Sequence, residues 1–135
     1  MKLRCLIVDD SHQFLAAARA LLESQGITVV GLASNTAEAL LRAAELRPDV
    51  MLVDIDLGGE SGLDLAHQLH RLTCHRRSAV ILTSNRAEQD YAELITASPA
   101  VGFLSKTAIS AGTIQDLLDD RPDRGGGTVS GSQET

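Results

Sequence analysis

A chain of 135 residues with 44% apolar content fits one domain and one core. Its aromatics are Phe14, Tyr91 and Phe103, so that core is aliphatic. A formal charge of −6 argues against nucleic acid as a direct partner, since phosphate contacts need clustered Lys and Arg. No apolar run reaches the length of a membrane span, and Met1–Arg4 leads into a segment too brief for a secretory signal. A cytoplasmic protein with free thiols at Cys5 and Cys74 is the expectation.

In chain order, Leu3–Val8 reads as a buried strand ending in Asp9-Asp10. Ser11 then caps a helix with Phe14, Leu15, Ala18, Leu21 and Leu22 at helical spacing. Gly26 ends it and Ile27–Leu32 gives a second strand. A helix from Asn35 or Thr36 carries Ala39, Leu40, Ala43 and Leu46 and must stop before Pro48. Val50–Val53 is a third strand ending in Asp54, followed by a Gly-rich loop and a helix marked by Leu65, Leu69 and Leu72. Ala79–Leu82 is a fourth strand ending in Thr83-Ser84, and Ala87–Ala97 a helix closed by Pro99. Val101–Leu104 is a fifth strand before Ser105-Lys106, and the last helix holds Ile114, Leu117 and Leu118. Strands that are continuous apolar runs, alternating with helices, predict a doubly wound parallel α/β sheet covered on both faces. The domain is expected to span residues 1–121, with 122–135 a disordered Gly/Ser-rich tail.

Polar residues fall where such a sheet places its ligand site, at the carboxyl ends of the strands. Asp9 and Asp10 end the first strand, Asp54 the third, Thr83 the fourth and Lys106 the fifth. An Asp or Thr after a strand is commonly a turn former or a cap, but four strands ending in functional side chains on one edge is a constellation. Crowded carboxylates call for a divalent cation, and hard oxygen ligands suit Mg²⁺. One carboxylate is then left as a nucleophile toward phosphorus, giving an aspartyl phosphate. Lys106 supplies a cation and the Thr83 hydroxyl a hydrogen bond for the phosphoryl oxygens.

The segments Leu6-Ile7-Val8-Asp9-Asp10, Leu52-Val53-Asp54-Ile55-Asp56-Leu57, Ile81-Leu82-Thr83-Ser84 and Gly102-Phe103-Leu104-Ser105-Lys106 resemble the four signatures of response-regulator receiver domains. The likeness covers about residues 3–120. It implies a flavodoxin-like five-stranded sheet of order 2-1-3-4-5 with five helices, and a signalling switch rather than a multiple-turnover enzyme. It also implies Asp54 as phosphoacceptor, Asp10 as a direct Mg²⁺ ligand, Asp9 acting through water, and the Asp56 carbonyl completing the ligands. Thr83, with Ser84 beside it, and Lys106 would bind the phosphoryl oxygens, and Phe103 would be the switch aromatic. The implied donor is a sensor histidine kinase or a phosphotransfer protein. The implied output surface is the face of the fourth helix, fifth strand and fifth helix, including Tyr91, Ala92, Ile95 and Phe103, which would bind an output protein or form a homodimer. The pattern through Ser61-Gly62-Leu63 is closest to the subfamily that often carries a helix-turn-helix output domain.

The chain departs from the family at Thr107, where proline often follows the lysine with a cis peptide, and at Gly58-Gly59, where proline is often found. A cis bond before a non-proline residue costs about 2.5–4 kcal/mol. Asp56 and Asn85, each two residues past a signature residue, are expected to flank the attacking water and tune autodephosphorylation. His67, His70 and Cys74 share a helical stripe, read as a polar face because no fourth metal ligand is evident. His12 reads as solvent-facing, and Gly58, Gly59 and Gly62 as a turn that needs no ligand. The competing enzyme reading is a haloacid-dehalogenase-like phosphatase, whose Asp-x-Asp pattern Asp54-Ile55-Asp56 matches. That family places its nucleophile after the first strand, whereas Asp54 follows the third.

Overall fold

The computed structural model describes residues 3–73, 78–85 and 91–120. The apolar runs become β1 (Arg4–Val8), β2 (Thr28–Ala33), β3 (Val50–Asp54), β4 (Ala79–Ser84) and β5 (Gly102–Ser105). Between them lie α1 (His12–Ser24), α2 (Thr36–Leu46), α3 (Gly62–Thr73) and α4 (Ala92–Thr96). A 3₁₀ turn at Lys106–Ala108 leads to α5 (Ala111–Asp120). Every strand pairing is parallel, in the order β2-β1-β3-β4-β5. This is the flavodoxin-like sheet expected from the sequence, with the order reversing beside β1.

Because side chains alternate across a strand, the sheet divides the core in two. Leu6, Val8, Met51, Val53 and Leu82 pack against Ala39 and Ala43 of α2, Leu65 and Leu69 of α3 and Ile95 of α4. Cys5, Ile7, Val50, Leu52 and Ile81 pack against Leu15, Ala18 and Leu22 of α1 and Ile114 of α5. Both faces are covered, which is why the strands read as unbroken apolar runs.

Local chemistry sets the helix starts. The Ser11 hydroxyl accepts from Phe14 N at 3.2 Å. At α2, Asn35 Oδ1 accepts from Glu38 N (2.9 Å) while Glu38 Oε1 accepts from Ser34 N (2.8 Å). Such a cap contributes about 1 kcal/mol. The Arg4 guanidinium donates to the carbonyls of Leu46 and Arg47 (2.6 and 2.7 Å), satisfying the last turn of α2.

Three expectations need correction. Leu72 is exposed at 38%, and Thr73 is buried in its place, its Oγ1 donating to the Leu69 carbonyl at 2.8 Å. A buried hydroxyl with a backbone acceptor inside its own helix costs little, so the inward stripe runs through 65, 66, 69 and 73. Leu21 likewise points outward. Of the proposed output face, Ile95 and Phe103 belong to the core, while Tyr91 is partly buried against it and Ala92 is exposed. The fourth helix starts at Ala92 among the described residues; 87–90, Cys74 and the tail 122–135 lie outside them.

Candidate functional site

The alternation that divides the core also gathers the site. Ile7, Leu52, Ile81 and Leu104 face α1 and α5. Two residues further along the chain come Asp54 and Thr83, at the ends of β3 and β4, and Asp9 and Lys106, just past the ends of β1 and β5. Period two therefore directs all four to the same side, where the sheet's carboxyl edge meets α1. Register aligns them as well, since Asp54 pairs with Thr83, and Thr83 with Leu104.

Lys106 is the hub. Its Nζ lies 2.6 Å from Asp9 Oδ2 and 3.0 Å from Asp54 Oδ2, with all three side chains at least nine-tenths buried. The second oxygen of each carboxylate is held by backbone: Asp9 Oδ1 accepts from Ser11 N (2.8 Å) and Asp54 Oδ1 from Asp56 N (3.1 Å). Asp9 Oδ2 has no hydrogen-bond partner of good geometry and meets the ammonium as an ion pair.

Burial raises the Asp54 carboxyl above the usual carboxylate range; the neighbouring Asp9 charge adds to this, and the Lys106 and Asp56 hydrogen bonds only partly oppose it. Burial works against the Lys106 charge too, but Asp9 and Asp54 outweigh it and hold the ammonium above its ordinary value. The pocket thus contains more negative charge than one lysine neutralises comfortably.

Asp10 completes an acidic group. Carboxylate oxygens of Asp9, Asp10 and Asp54 all lie within 4.8 Å of one another, with Asp10 exposed. Two buried carboxylates and one open to solvent fit a hard divalent cation that keeps part of its water shell. The β3–α3 loop walls this side. Gly58 sits at φ +62, and a Cβ there would meet Asp10 Oδ2 at 2.5 Å. Gly62 packs still closer, its hypothetical Cβ 1.8 Å from the Asp54 carbonyl oxygen, while its N–H donates to the Ile55 carbonyl at 2.7 Å. The sequence reading of these glycines as a turn missed that two of them are close approaches to the site.

The turn that carries Lys106 forms without proline. Ser105 Oγ accepts from Thr107 N (3.4 Å) and lies 3.0 Å from Thr107 Oγ1, and the Lys106–Thr107 bond is trans. The sequence reading also missed Phe14. Its ring centroid lies 4.6 Å from Lys106 Nζ.

Of the remaining candidates, Thr83 and Ser84 are buried at the end of β4. Asp56 and Asn85 are exposed, and Asp56 Oδ1 accepts from Gly58 N at 3.2 Å. Phe103 is buried on the opposite face of the sheet, among the residues facing α2, α3 and α4. His12, His67 and His70 are exposed. No described helix is long and apolar enough to cross a membrane.

The acidic group and the buried lysine that grips it lie at the switch point of a doubly wound parallel sheet, where such folds place their ligand sites. The family model described as response regulator receiver domain matches residues 5–118, and the chain belongs to that family. It is 36% identical over 118 residues to the transcriptional regulatory protein YvfU of Bacillus subtilis, covering 87% of this chain and 56% of that protein. It is 32% identical to the response regulator GacA of Pseudomonas viridiflava, covering 85% and 53%. The chain thus spans about half the length of these curated relatives. Among solved structures, a response regulator from Burkholderia pseudomallei containing a phosphorylated aspartic acid, calcium ion and citrate superposes with TM-score 0.75. It is 27% identical, with 87% of this chain and 66% of that one covered.

Proposed function

We propose that this receiver domain is a two-component switch in which Asp54 accepts a phosphoryl group from a histidine kinase or a phosphotransfer protein, with Mg²⁺ as cofactor. The observation that carries this reading is the joint grip of Lys106 on Asp9 and Asp54 beside Asp10. The phosphorylated aspartic acid and calcium ion of the Burkholderia relative support it.

Asp9, Asp10 and Asp54 would hold the cation together with the Asp56 carbonyl, and when bound it supplies charge neutralisation for the phosphoryl oxygens. The chain's own residues do the rest. The Asp56 N–H orients the Asp54 carboxylate, so that it meets the donor in one geometry. Burial that disfavours the Asp54 charge leaves the carboxylate poorly solvated and more nucleophilic. Lys106, held between two carboxylates, is poised to move its ammonium onto a phosphoryl oxygen once Asp54 carries the acyl phosphate, with Thr83 and Ser84 adjoining. Asp56 and Asn85, both open to solvent, are suited to influence hydrolysis.

The readout would pass from β4 and β5 to Phe103, the switch aromatic. From there it would reach the face of α4, β5 and α5, for an output protein or a second copy. The protein acts as a cytoplasmic switch and not as a multiple-turnover enzyme, and the domain runs to about residue 121. The test is intact mass after incubation with a small-molecule phosphoryl donor and Mg²⁺. Wild type gains one phosphoryl group and Asp54→Asn gains none; an adduct on both removes Asp54 from the role. Sustained turnover of a small phosphomonoester would favour the phosphatase reading instead.

A further inference from the structure

The geometry points to Phe14 as a positioning residue for Lys106: its ring covers the ammonium and holds it against the carboxylates, in a turn that has no proline to fix it. This inference rests on the proposed phosphoryl transfer and extends it to a side chain outside the acidic group.

The placement is built from the sequence upward. Asp9 Oδ1 accepts from Ser11 N, and the Ser11 hydroxyl accepts from Phe14 N, so the residue that anchors one carboxylate also caps the turn bearing the ring. The ring stands 4.6 Å from Nζ, within the range in which the negative face of an aromatic attracts a cation. The lysine side chain is 10% exposed, so water competes weakly and the attraction lies toward the upper part of its usual range.

A long lysine stem has several rotamers, and ordering them costs free energy at the moment of reaction. Asp9 and Asp54 order the ammonium in the resting state, but both would be engaged differently once the cation and the phosphoryl group are present. The ring carries no charge and takes part in neither change. It is the contact of Lys106 that can persist through the cycle, keeping the ammonium at the pocket when its carboxylate partners are drawn off.

Two measurements test this. In metal-free protein, the Lys106 ε-methylene protons show an upfield ring-current shift by NMR in wild type and Phe14→Tyr that disappears in Phe14→Leu. Lys106 shifts that are the same in wild type and Phe14→Leu overturn the contact. With Mg²⁺ and a small-molecule phosphoryl donor, Phe14→Leu lowers the limiting rate of adduct formation about fivefold, while half-saturation by the donor stays unchanged. Phe14→Tyr restores the rate to within about twofold. Ring-fluorinated phenylalanines at position 14 preserve shape while weakening the negative face, so the rate falls stepwise with fluorination. Equal rates across that series in a wild-type background that accepts phosphate overturn the positioning role. If wild type accepts no phosphate, the reading of Asp54 fails, and the NMR comparison still decides the ring contact.

Discussion

Replacing Lys106 with methionine isolates what the lysine does for the acidic pocket. Its side chain is 10% exposed, against 0% for Asp9 and 8% for Asp54, so the substitution strands two buried carboxylates at its 2.6 and 3.0 Å contacts. Removing one partner of such a buried set costs about 3–5 kcal/mol. Asp54 can relieve the strain by taking up a proton. Its pKa is already raised by burial, and losing Lys106, one of the groups that lower it, raises it further. The folded variant then binds a proton that the unfolded chain releases. Stability therefore falls with rising pH, by about 1.4 kcal/mol per unit until the folded pKa is passed.

Lys106 in wild type has a raised pKa, so its contribution is complete below the ordinary lysine value and lost only above it. Wild type carries the same Asp54 slope in weaker form, because Lys106 opposes the rise there, so the gap between the two proteins at each pH is the quantity to compare. Thermal unfolding in EDTA should show Lys106→Met about 12–20 °C below wild type at pH 7.5, taking about 4 °C per kcal/mol, with a clearly smaller gap at pH 5. Mg²⁺ at a hundredfold excess over its dissociation constant should return about 2.7 kcal/mol. An equal gap at both pH values, or none, would refute the compensation argument.

Other substitutions probe the loop and the core. Gly62→Ala places a methyl 1.8 Å from the Asp54 carbonyl, so a shift of α3 is unavoidable; denaturant titration should show a loss above about 3 kcal/mol. Gly58→Ala adds strain at φ +62 and presses on Asp10 Oδ2; Mg²⁺ affinity, read by calorimetry, should fall more than stability does. The Cys5 thiol is buried in the sheet and pushed up to about 12, so a thiol reagent at pH 8 should label it only at the rate of unfolding. Asn35→Ala removes the α2 cap and should cost about 1 kcal/mol with little effect on Asp54 chemistry.

Much of the architecture was legible because the strands are buried on both sides. Val50–Val53 and Ala79–Leu82 have no polar position to interrupt them, and Asn35, Gly26 and Pro48 punctuate the helices between. Leu72 was misplaced because a three-to-four spacing does not say which residue closes the inward stripe, and Thr73 can fill it with its hydroxyl satisfied by Leu69. Gly62 was read as a turn because close backbone approach leaves no mark on composition. Only the packing of α3 onto Asp54 distinguishes it from a flexible loop glycine.

The site was legible as a set of strand ends, but strand ends alone do not separate its members. Period two does. Asp9, Asp54, Thr83 and Lys106 each lie two residues beyond a side chain that faces α1 and α5, whereas Phe103 follows the other parity and lies beneath α2, α3 and α4. The acidic group and Phe103 are therefore on opposite faces of one sheet. On the proposed function, a signal from Asp54 to Phe103 would have to cross through the backbone of β4 and β5, where Thr83 pairs with Leu104 and Leu82 with Phe103. The same parity would have drawn attention to α1 as the helix covering the pocket, and so to Phe14 at its first turn. The proposed switch aromatic, Phe103, thus lies behind the sheet, while Phe14, which the resemblance does not mark, stands 4.6 Å from Lys106 Nζ.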